Sequence, residues 1–145
     1  MIRPAEISDA AQIAAIYNGY VAASDATFDT EPVSASDFAG RIREISAHCP
    51  FYVFDDCGKV AGYCHAHARK QKAAYARTLE TTVYVAPDSV GRGIGEALVR
   101  ALVEECRRRG VRALVACITA GNAPSVRLHE KLGFVKVSNF HRVGE

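Results

Sequence analysis

At 145 residues, the chain is long enough for one domain with a substantial buried core. Hydrophobic residues make up 49% and charged residues 23%, as in globular proteins rather than disordered or membrane-spanning chains. The net charge of +2 is too small to indicate a nucleic-acid or membrane partner. The five cysteines include no C-x-x-C pair, and the N-terminus lacks a secretion-signal pattern. We therefore expect one cytoplasmic domain, residues 1–145, with reduced thiols and no metal.

The first third of the chain predicts a short strand and two helices. The strand begins at residues 2–3, and Ser8 is placed to cap a helix with apolar residues at 3.6 spacing. Residues 24–33 are rich in turn-forming types and predict a loop. Ser34 and Asp37 then have the spacing of a capping box, which predicts the start of the second helix.

The middle of the chain predicts a run of strands. Residues 51–54 and 60–68 are joined by a hairpin turn at residues 56–59, and a long strand follows from about 74 to 85. Pro87 ends that strand because proline has no N–H for a ladder.

The last third predicts a helix, a strand and a second helix. The first helix follows residues 91–95 and ends at Gly110, a residue type suited to the position after a helix. Residues 113–118 predict a buried strand, Pro124 opens the next helix and Gly133 closes it, and residues 134–140 predict a final strand. The order indicates an α/β fold with a single mixed, mostly antiparallel sheet and helices on both faces.

The glycine-rich turn at residues 91–95 joins a strand to a helix N-terminus. The first N–H groups of that helix have no partner inside it, and the helix dipole places partial positive charge there. Glycines let a phosphate approach the backbone closely, so the arrangement predicts a pyrophosphate site. A Walker A run is absent, and G-x-G-x-G departs from the dinucleotide fingerprint. A glycine-rich connection without a ligand remains an alternative.

Four stretches, in the same order along the chain, resemble motifs of one family. Residues 90–95, VGRGIG, lie where GNAT superfamily N-acetyltransferases carry their acetyl-CoA loop, Q/R-x-x-G-x-G/A. The preceding strand ETTVYV, the upstream TFDTEP and the downstream NAPSVRLHE resemble the phosphinothricin acetyltransferase subfamily. The resemblance covers residues 2 to about 142. It implies a GNAT-like fold.

The resemblance implies that acetyl-CoA binds at the strand and loop as the co-substrate. The implied contacts are Val83, Tyr84, Val85, Gly91, Arg92, Gly93, Ile94, Gly95, Glu96, Asn122 and Ser125. Asn122 also suits a helix cap, and the two roles are compatible. Val90 stands where the motif usually has Gln or Arg, but a cradle of backbone N–H groups survives that change.

Glu80 and His129 are the two candidate catalytic residues. The subfamily pattern implies that Glu80 is the base that takes a proton from the attacking amine, directly or through water. The alternative for Glu80 is a solvated carboxylate at a strand end. His129 matches a position near the thiol, where it is an acid or only lines the site. A packed or exposed helical histidine is the alternative for His129.

The resemblance also implies an acceptor site that uses residues from both halves of the chain. The implied contacts are Phe28, Glu31, Ala73, Ala74, Tyr75, Thr81 and Thr82. Core packing is the alternative for Phe28 and Tyr75. Cys64, His65 and His67 have a metal-like composition, but Cys64 points away from the two histidines on a strand and no fourth ligand is evident.

We therefore expect an acetyl-CoA-dependent N-acetyltransferase acting on a small amine, an amino acid or an analogue similar to phosphinothricin or methionine sulfoximine. The alternatives are a peptide or protein N-terminal acetyltransferase and a non-catalytic acyl-CoA-binding module. The subfamily continues with a further strand after the one predicted at residues 134–140, so we expect that further strand, the final one of the fold, to be missing. We also expect a homodimer, with the second copy covering the exposed sheet edge.

Overall fold

The computed structural model describes residues 1–23, 33–68, 78–111, 113–116 and 123–134. The strands are β1 Ile2–Pro4, β2 Phe51–Asp56, β3 Lys59–Ala68, β4 Thr78–Val85 and β5 Ala113–Ala116. The helices are α1 Ala10–Ala23, α2 Ala35–Ser46, α3 Ile94–Arg108 and α4 Ala123–Lys131, with 3₁₀ turns at Ile7–Asp9 and Pro87–Ser89. No helix in these ranges is long and apolar enough to cross a membrane.

The strands form one sheet in the order β1-β2-β3-β4-β5. The first three pairings are antiparallel, and β4 pairs with β5 in parallel, so the predicted mixed, mostly antiparallel sheet is confirmed. The predicted hairpin turn is confirmed as well. Cys57 and Gly58 have φ of 55° and 92°, and the Gly58 N–H donates to Asp55 Oδ1 at 2.8 Å. Positive φ at both central residues matches the right-handed twist of the strands.

Helices cover the two faces of this sheet. On one face, α1 and α2 bury an aromatic cluster around Tyr63, which contacts Phe38, Phe51 and Tyr84. On the other face, α3 buries five residues against the sheet: Ile94, Leu98, Val99, Leu102 and Cys106. Leu98, Leu102 and Cys106 lie four residues apart and form one apolar stripe along the helix.

Gly62 sets how closely α3 approaches the sheet. A Cβ at Gly62 would lie 3.0 Å from the Tyr84 carbonyl oxygen, 3.1 Å from Leu98 and 3.2 Å from Ile94. A side chain at this position would therefore push the first turns of α3 away from β3 and β4. The glycine fixes the position of the α3 N-terminus relative to the end of β4.

The first helical segment starts differently from the sequence prediction. Ser8 is not its cap, because the 3₁₀ turn Ile7–Asp9 precedes α1 and Asp9 takes the capping role. The Glu6 N–H donates to Asp9 Oδ2 at 2.7 Å, and the Arg3 guanidinium donates to both carboxylate oxygens at 2.9 Å. A carboxylate that satisfies three donors stabilises the start of the helix better than the Ser8 hydroxyl can.

Two other predicted helix ends are confirmed. Ser34 Oγ accepts a hydrogen bond from the Asp37 N–H at 3.0 Å at the start of α2. Gly110 has φ of 83° just after α3. The loop at residues 24–32, the strand beyond Phe134 and the outer parts of the strands predicted at 74–85 and 113–118 lie outside the described residues.

Candidate active site

The candidate site lies where β4 extends beyond the last described residue of its parallel partner, β5. Within the described ranges, β5 pairs with β4 from Thr78 to Thr81, and Thr81 faces Ala116. Residues 82–85 continue along β3 but have no β5 partner among the described residues. Among the described residues, β5 therefore leaves the edge of β4 at Val83 and Val85 uncovered, directly before the chain enters the glycine-rich loop. We call this stretch the open edge.

The peptide groups of β4 alternate between its two edges. The Ala86 N–H donates to the Ala61 carbonyl across to β3 at 2.8 Å. Peptide groups in an antiparallel pair alternate, so Tyr84 directs its own toward β3 while Val83 and Val85 direct theirs toward the open edge. The Val85 carbonyl accepts a hydrogen bond from the Tyr20 hydroxyl at 2.6 Å. The open edge thus offers backbone groups suited to an extended, amide-bearing ligand.

The glycine-rich loop has left-handed backbone where the sequence predicts a phosphate cradle. Gly91 and Gly93 have φ of 91° and 78°, and Gly93 directly precedes the first residue of α3. No described atom lies within 4 Å of a Cβ added at either glycine, so the space over the loop is open. Arg92 contacts Asp56, the last residue of β2, at 3.2 Å. The geometry leaves the N–H groups at the α3 N-terminus facing that space.

An ion pair and an apolar contact hold helix α4 beside the N-terminus of α3. Glu96 contacts Lys131 of α4 at 2.9 Å and Arg100 of its own helix at 2.8 Å. Leu128 reaches over Gly95, where a Cβ would lie 3.4 Å from both Leu128 and Val85. Helix α4, helix α3 and the end of β4 therefore meet around Gly95.

The His129 side chain of α4 is buried rather than exposed at the surface. Its residue is 4% exposed, and its ring meets the Phe134 ring edge-on at 5.0 Å between centroids. The Phe134 N–H donates to the His129 carbonyl at 3.0 Å, which folds the chain back after the helix. The exposed-histidine alternative is therefore excluded, and the catalytic and packed alternatives remain.

Thr81 and Thr82 point to opposite faces of β4. Thr81 is 7% exposed, and its Oγ1 has no hydrogen-bond partner among the described residues. A buried hydroxyl without a partner is unusual and suits a position completed by a ligand or water. It lies on the α3 face, at the last residue that pairs with β5. Thr82 shares the other face with Glu80.

Glu80 lies beside two histidines of β3. Its side chain is 20% exposed, and Oε1 is 3.2 Å from His67 Nε2. His67 Nδ1 is in turn 3.2 Å from His65 Nδ1, and the His65 ring lies 4.7 Å from the Phe51 ring. Desolvation and then the adjacent His67 lower the pKa of His65 to about 3. Neither this row nor any other group of three or more His, Cys, Asp or Glu side chains in the part of the chain described here is arranged to hold a metal ion.

The structure thus places Glu80, the end of β4, the glycine loop and the start of α3 in succession along one strand-to-helix unit. Six predicted site residues lie outside the described ranges: Phe28, Glu31, Ala73, Ala74, Tyr75 and Asn122. Ser125 lies in α4, with its side chain outside the description. Sequence reasoning missed Tyr20, which is 65 residues from Val85, and it considered His67 only as a metal ligand. Pairing His67 with Glu80 needs the β3–β4 register, which motif spacing does not provide.

Known proteins match both the sequence and the fold. The model of the acetyltransferase (GNAT) family matches residues 13–134. Phosphinothricin N-acetyltransferase of Alcaligenes faecalis is 33% identical, covering 99% of this chain and 74% of that protein. The L-methionine sulfoximine/L-methionine sulfone acetyltransferase of Pseudomonas paraeruginosa is 36% identical, covering 99% and 85%.

Solved structures superpose closely on this chain. Ribosomal-protein-alanine N-acetyltransferase from Brucella melitensis has a TM-score of 0.92 at 32% identity, covering 95% of this chain and 86% of that one. A phosphinothricin acetyltransferase from Sinorhizobium meliloti, solved in complex with acetyl-CoA, has a TM-score of 0.88 at 34% identity, covering 92% and 73%.

The mixed sheet, open beside β4, and the glycine loop at a helix N-terminus define an acyltransferase fold. The chain belongs to the acetyltransferase (GNAT) family. It is an acetyl-CoA-dependent N-acyltransferase, which confirms the predicted fold, enzyme class and co-substrate. The described residues fit acetyl-CoA, because the open edge of β4 offers backbone groups and leads into the glycine loop, where no described atom lies within 4 Å of a Cβ added at Gly91 or Gly93.

Proposed function

We propose that the enzyme acetylates the amine of an amino acid or amino-acid analogue, of the phosphinothricin or methionine sulfoximine kind. The observation that carries this proposal is the placement of Glu80. Its carboxylate lies on the α1/α2 face of β4, one residue before the pairing with β5 ends. A base there can reach an amine held beside the open edge. The substrate names of the two relatives support the choice of acceptor.

Acetyl-CoA, when bound, supplies an activated acyl group. The N–H groups at the start of α3, between Gly91 and Glu96, are suited to hold its phosphates, with Arg92 beside them. The backbone of Val83 and Val85 is suited to orient its amide-bearing arm. Tyr84 directs its peptide groups toward β3, so its backbone is not among the groups that face this arm. Its ring belongs to the aromatic cluster. Asn122, Ser125 and Ile94 remain proposed contacts from the family pattern.

Glu80 serves as the base in this proposal. An α-amino group has a pKa of about 8, so a fraction is already neutral near pH 7.5. Glu80 accepts the proton from the charged fraction, directly or through water, and leaves the neutral amine able to attack. Phe28, Glu31, Ala73, Ala74, Tyr75, Thr81 and Thr82 are the proposed acceptor contacts.

His129 is proposed to lie near the thiol end of the site. Its neighbour Leu128 reaches the junction of Gly95 and Val85, which places this part of α4 beside the end of β4. A buried imidazole there either protonates the departing thiolate or shapes the cavity wall. A His129→Gln variant separates these roles, since an acid role predicts a loss of turnover with little change in the KM for acetyl-CoA.

Thiol release measured across an amino-acid panel tests the function. The panel includes phosphinothricin, methionine sulfoximine, methionine sulfone and the common amino acids. We expect turnover with a subset of these, and we expect Glu80→Gln to lower it by roughly 100-fold while acetyl-CoA affinity stays constant. No turnover with any of them, or an unaltered pH–rate profile in Glu80→Gln, would contradict the proposal.

A second acceptor class is favoured by one comparison. The superposition on a ribosomal-protein-alanine N-acetyltransferase supports testing a protein N-terminus as the amine. A short peptide that begins with alanine belongs in the same assay. Turnover of that peptide with higher kcat/KM than any free amino acid would favour the second class.

We further propose that the enzyme is a cytoplasmic homodimer. The four cysteines in the described ranges, Cys49, Cys57, Cys64 and Cys106, are unbridged thiols, which suits a reducing compartment. We propose the homodimer because members of the resembled subfamily are commonly dimers. We propose no nucleic-acid or membrane partner. Light scattering at micromolar concentration should give twice the chain mass, and a monomer mass would contradict it.

A further inference from the structure

The row Glu80, His67 and His65 crosses β4 and β3 on one face of the sheet. In the antiparallel register, His67 lies directly opposite Glu80, and His65 is two residues further along the same strand. Successive contacts of 3.2 Å link Glu80 Oε1 to His67 Nε2 and His67 Nδ1 to His65 Nδ1. The family motifs account for Glu80 but for neither histidine.

The hydrogen-bond directions in this row follow from its chemistry. An ionised carboxylate only accepts, so His67 Nε2 must carry a proton to bond Glu80. A neutral imidazole has a single N–H, so His67 Nδ1 is then an acceptor. His65 Nδ1 must therefore carry the proton between the two rings. His65 is suited to this role, because desolvation keeps it neutral at ordinary pH.

The charged and titratable surroundings of the row agree with this assignment. Among the described residues outside the row, Arg41 of α2 is the charged group that acts on His65, and it also disfavours a charged His65. Phe51 of β2 packs beside the His65 ring at 4.7 Å and restricts its orientation. His65 is thus held as a fixed neutral donor at the inner end of the row.

We propose that His67 is a positioning residue that orients Glu80 and holds it ionised, with His65 fixing the tautomer of His67. The inference rests on the proposed role of Glu80 as the base. A hydrogen bond donated to a carboxylate favours its ionised form. Removal of the donor should therefore raise the pKa of Glu80 and shift the acidic limb of the rate profile to higher pH.

A matched pair of variants tests the role of the donor. His67→Gln keeps an N–H at about the place of Nε2, whereas His67→Leu keeps bulk without a donor. We expect His67→Leu to lower kcat roughly tenfold and to raise the acidic limb of kcat/KM, with the KM for acetyl-CoA unchanged. His67→Gln should restore most of the rate and the wild-type limb. Equal losses in both variants, or a changed acetyl-CoA affinity, would overturn the proposal.

Coupling to Glu80 is tested in the double variant. In the Glu80→Gln background, His67→Leu should cause little further loss, because the group that it positions is already gone. Fully additive losses would show that His67 acts independently of Glu80. If Glu80→Gln itself leaves turnover unchanged, a role in positioning a base is excluded.

The tautomers themselves are measured without turnover. Imidazole ¹⁵N chemical shifts of the wild-type protein near pH 7.5 should show His65 protonated at Nδ1 and His67 at Nε2. The His65→Phe variant keeps the packing against Phe51 but removes the donor to His67, so His67 should populate both tautomers instead of one. The opposite tautomers would overturn the proposal. This readout separates the row from the function, since an enzyme that acetylates none of the tested amines would still show these shifts.

Discussion

Gly93 combines a conformational requirement with a chemical one. Its φ of 78° is in the left-handed region, where a side chain costs about 1 kcal/mol or more. The same residue opens α3, where the N–H groups suited to phosphate begin. Gly110 has a similar φ of 83° at the far end of the same helix, away from the site. The two glycines therefore share the backbone constraint and differ in the proposed chemistry.

This pair gives a prediction about acetyl-CoA binding. Gly93→Val and Gly110→Val should destabilise the fold by similar amounts, about 1–2 kcal/mol each in thermal unfolding. Only Gly93→Val should weaken acetyl-CoA binding in calorimetry, by tenfold or more, because its side chain stands at the proposed phosphate site. Equal acetyl-CoA affinities in the two variants would contradict the cradle assignment.

The contact of α3 with the sheet is controlled by the absence of a side chain at Gly62. The nearest atoms to a Cβ there include a backbone oxygen, which cannot rotate away as a side chain can. The close approach also sets where the α3 N-terminus meets the end of β4. The position of the glycine loop thus depends on packing beneath it as well as on its own residues.

Gly62→Ala should accordingly destabilise the protein by about 1–3 kcal/mol, since either α3 or β4 must shift by a few tenths of an ångström. Gly40→Ala in α2 is the matched control, because no atom lies within 4 Å of its Cβ. Alanine in that helix should stabilise by about 0.5–1 kcal/mol. Urea unfolding of both variants measures the contrast. An unchanged free energy of unfolding in Gly62→Ala would show that the contact leaves room for a methyl group.

Across the whole molecule, Arg3 joins β1 to the start of α1 and to the β2–β3 turn. Its guanidinium bonds both oxygens of Asp9 and Oδ2 of Asp55, all at 2.9 Å. The Arg3 hydrogen bonds are the main cause that lowers the pKa of both carboxyl groups. Asp9 is 4% exposed, so its partners rather than water stabilise its charge.

The stability of the protein in acid depends on the direction in which the pKa of Asp9 is shifted. Because its pKa is lower in the folded than in the unfolded state, Asp9 contributes stability above about pH 4 that is lost as pH falls through the folded pKa. Asp9→Asn should destabilise the protein by about 2 kcal/mol at pH 7 and by progressively less below about pH 4. Asp88→Asn, at an exposed pair with Lys59, should change stability little. Unfolding curves between pH 3 and pH 7 measure both, and a pH-independent Asp9→Asn effect would be inconsistent with the linkage.

The sequence predicted the parts of this molecule that depend on local chemistry. The glycines after Pro87, the Ser34 cap and the tight turn at Cys57 each follow from residue types at short spacing. The start of α1 did not, because Asp9 gains its advantage from Arg3, six residues earlier, and this pair matches no recognised capping motif. His67 opposite Glu80 and Tyr20 against Val85 depend on strand register and helix docking, which no short motif encodes.

The alternation along β4 divides the strand into two independent surfaces. Glu80, Thr82 and Tyr84 project toward α1 and α2, whereas Leu79, Val83 and Val85 project toward α3. On the first set, Glu80 is the proposed base and Tyr84 belongs to the aromatic cluster, which leaves Thr82 free to vary. A substitution at Thr82 changes the side of β4 proposed for the acceptor, while the α3 side of the strand keeps its packing. The proposed acceptor range can therefore be engineered at Thr82 without disturbing the contact between the sheet and α3.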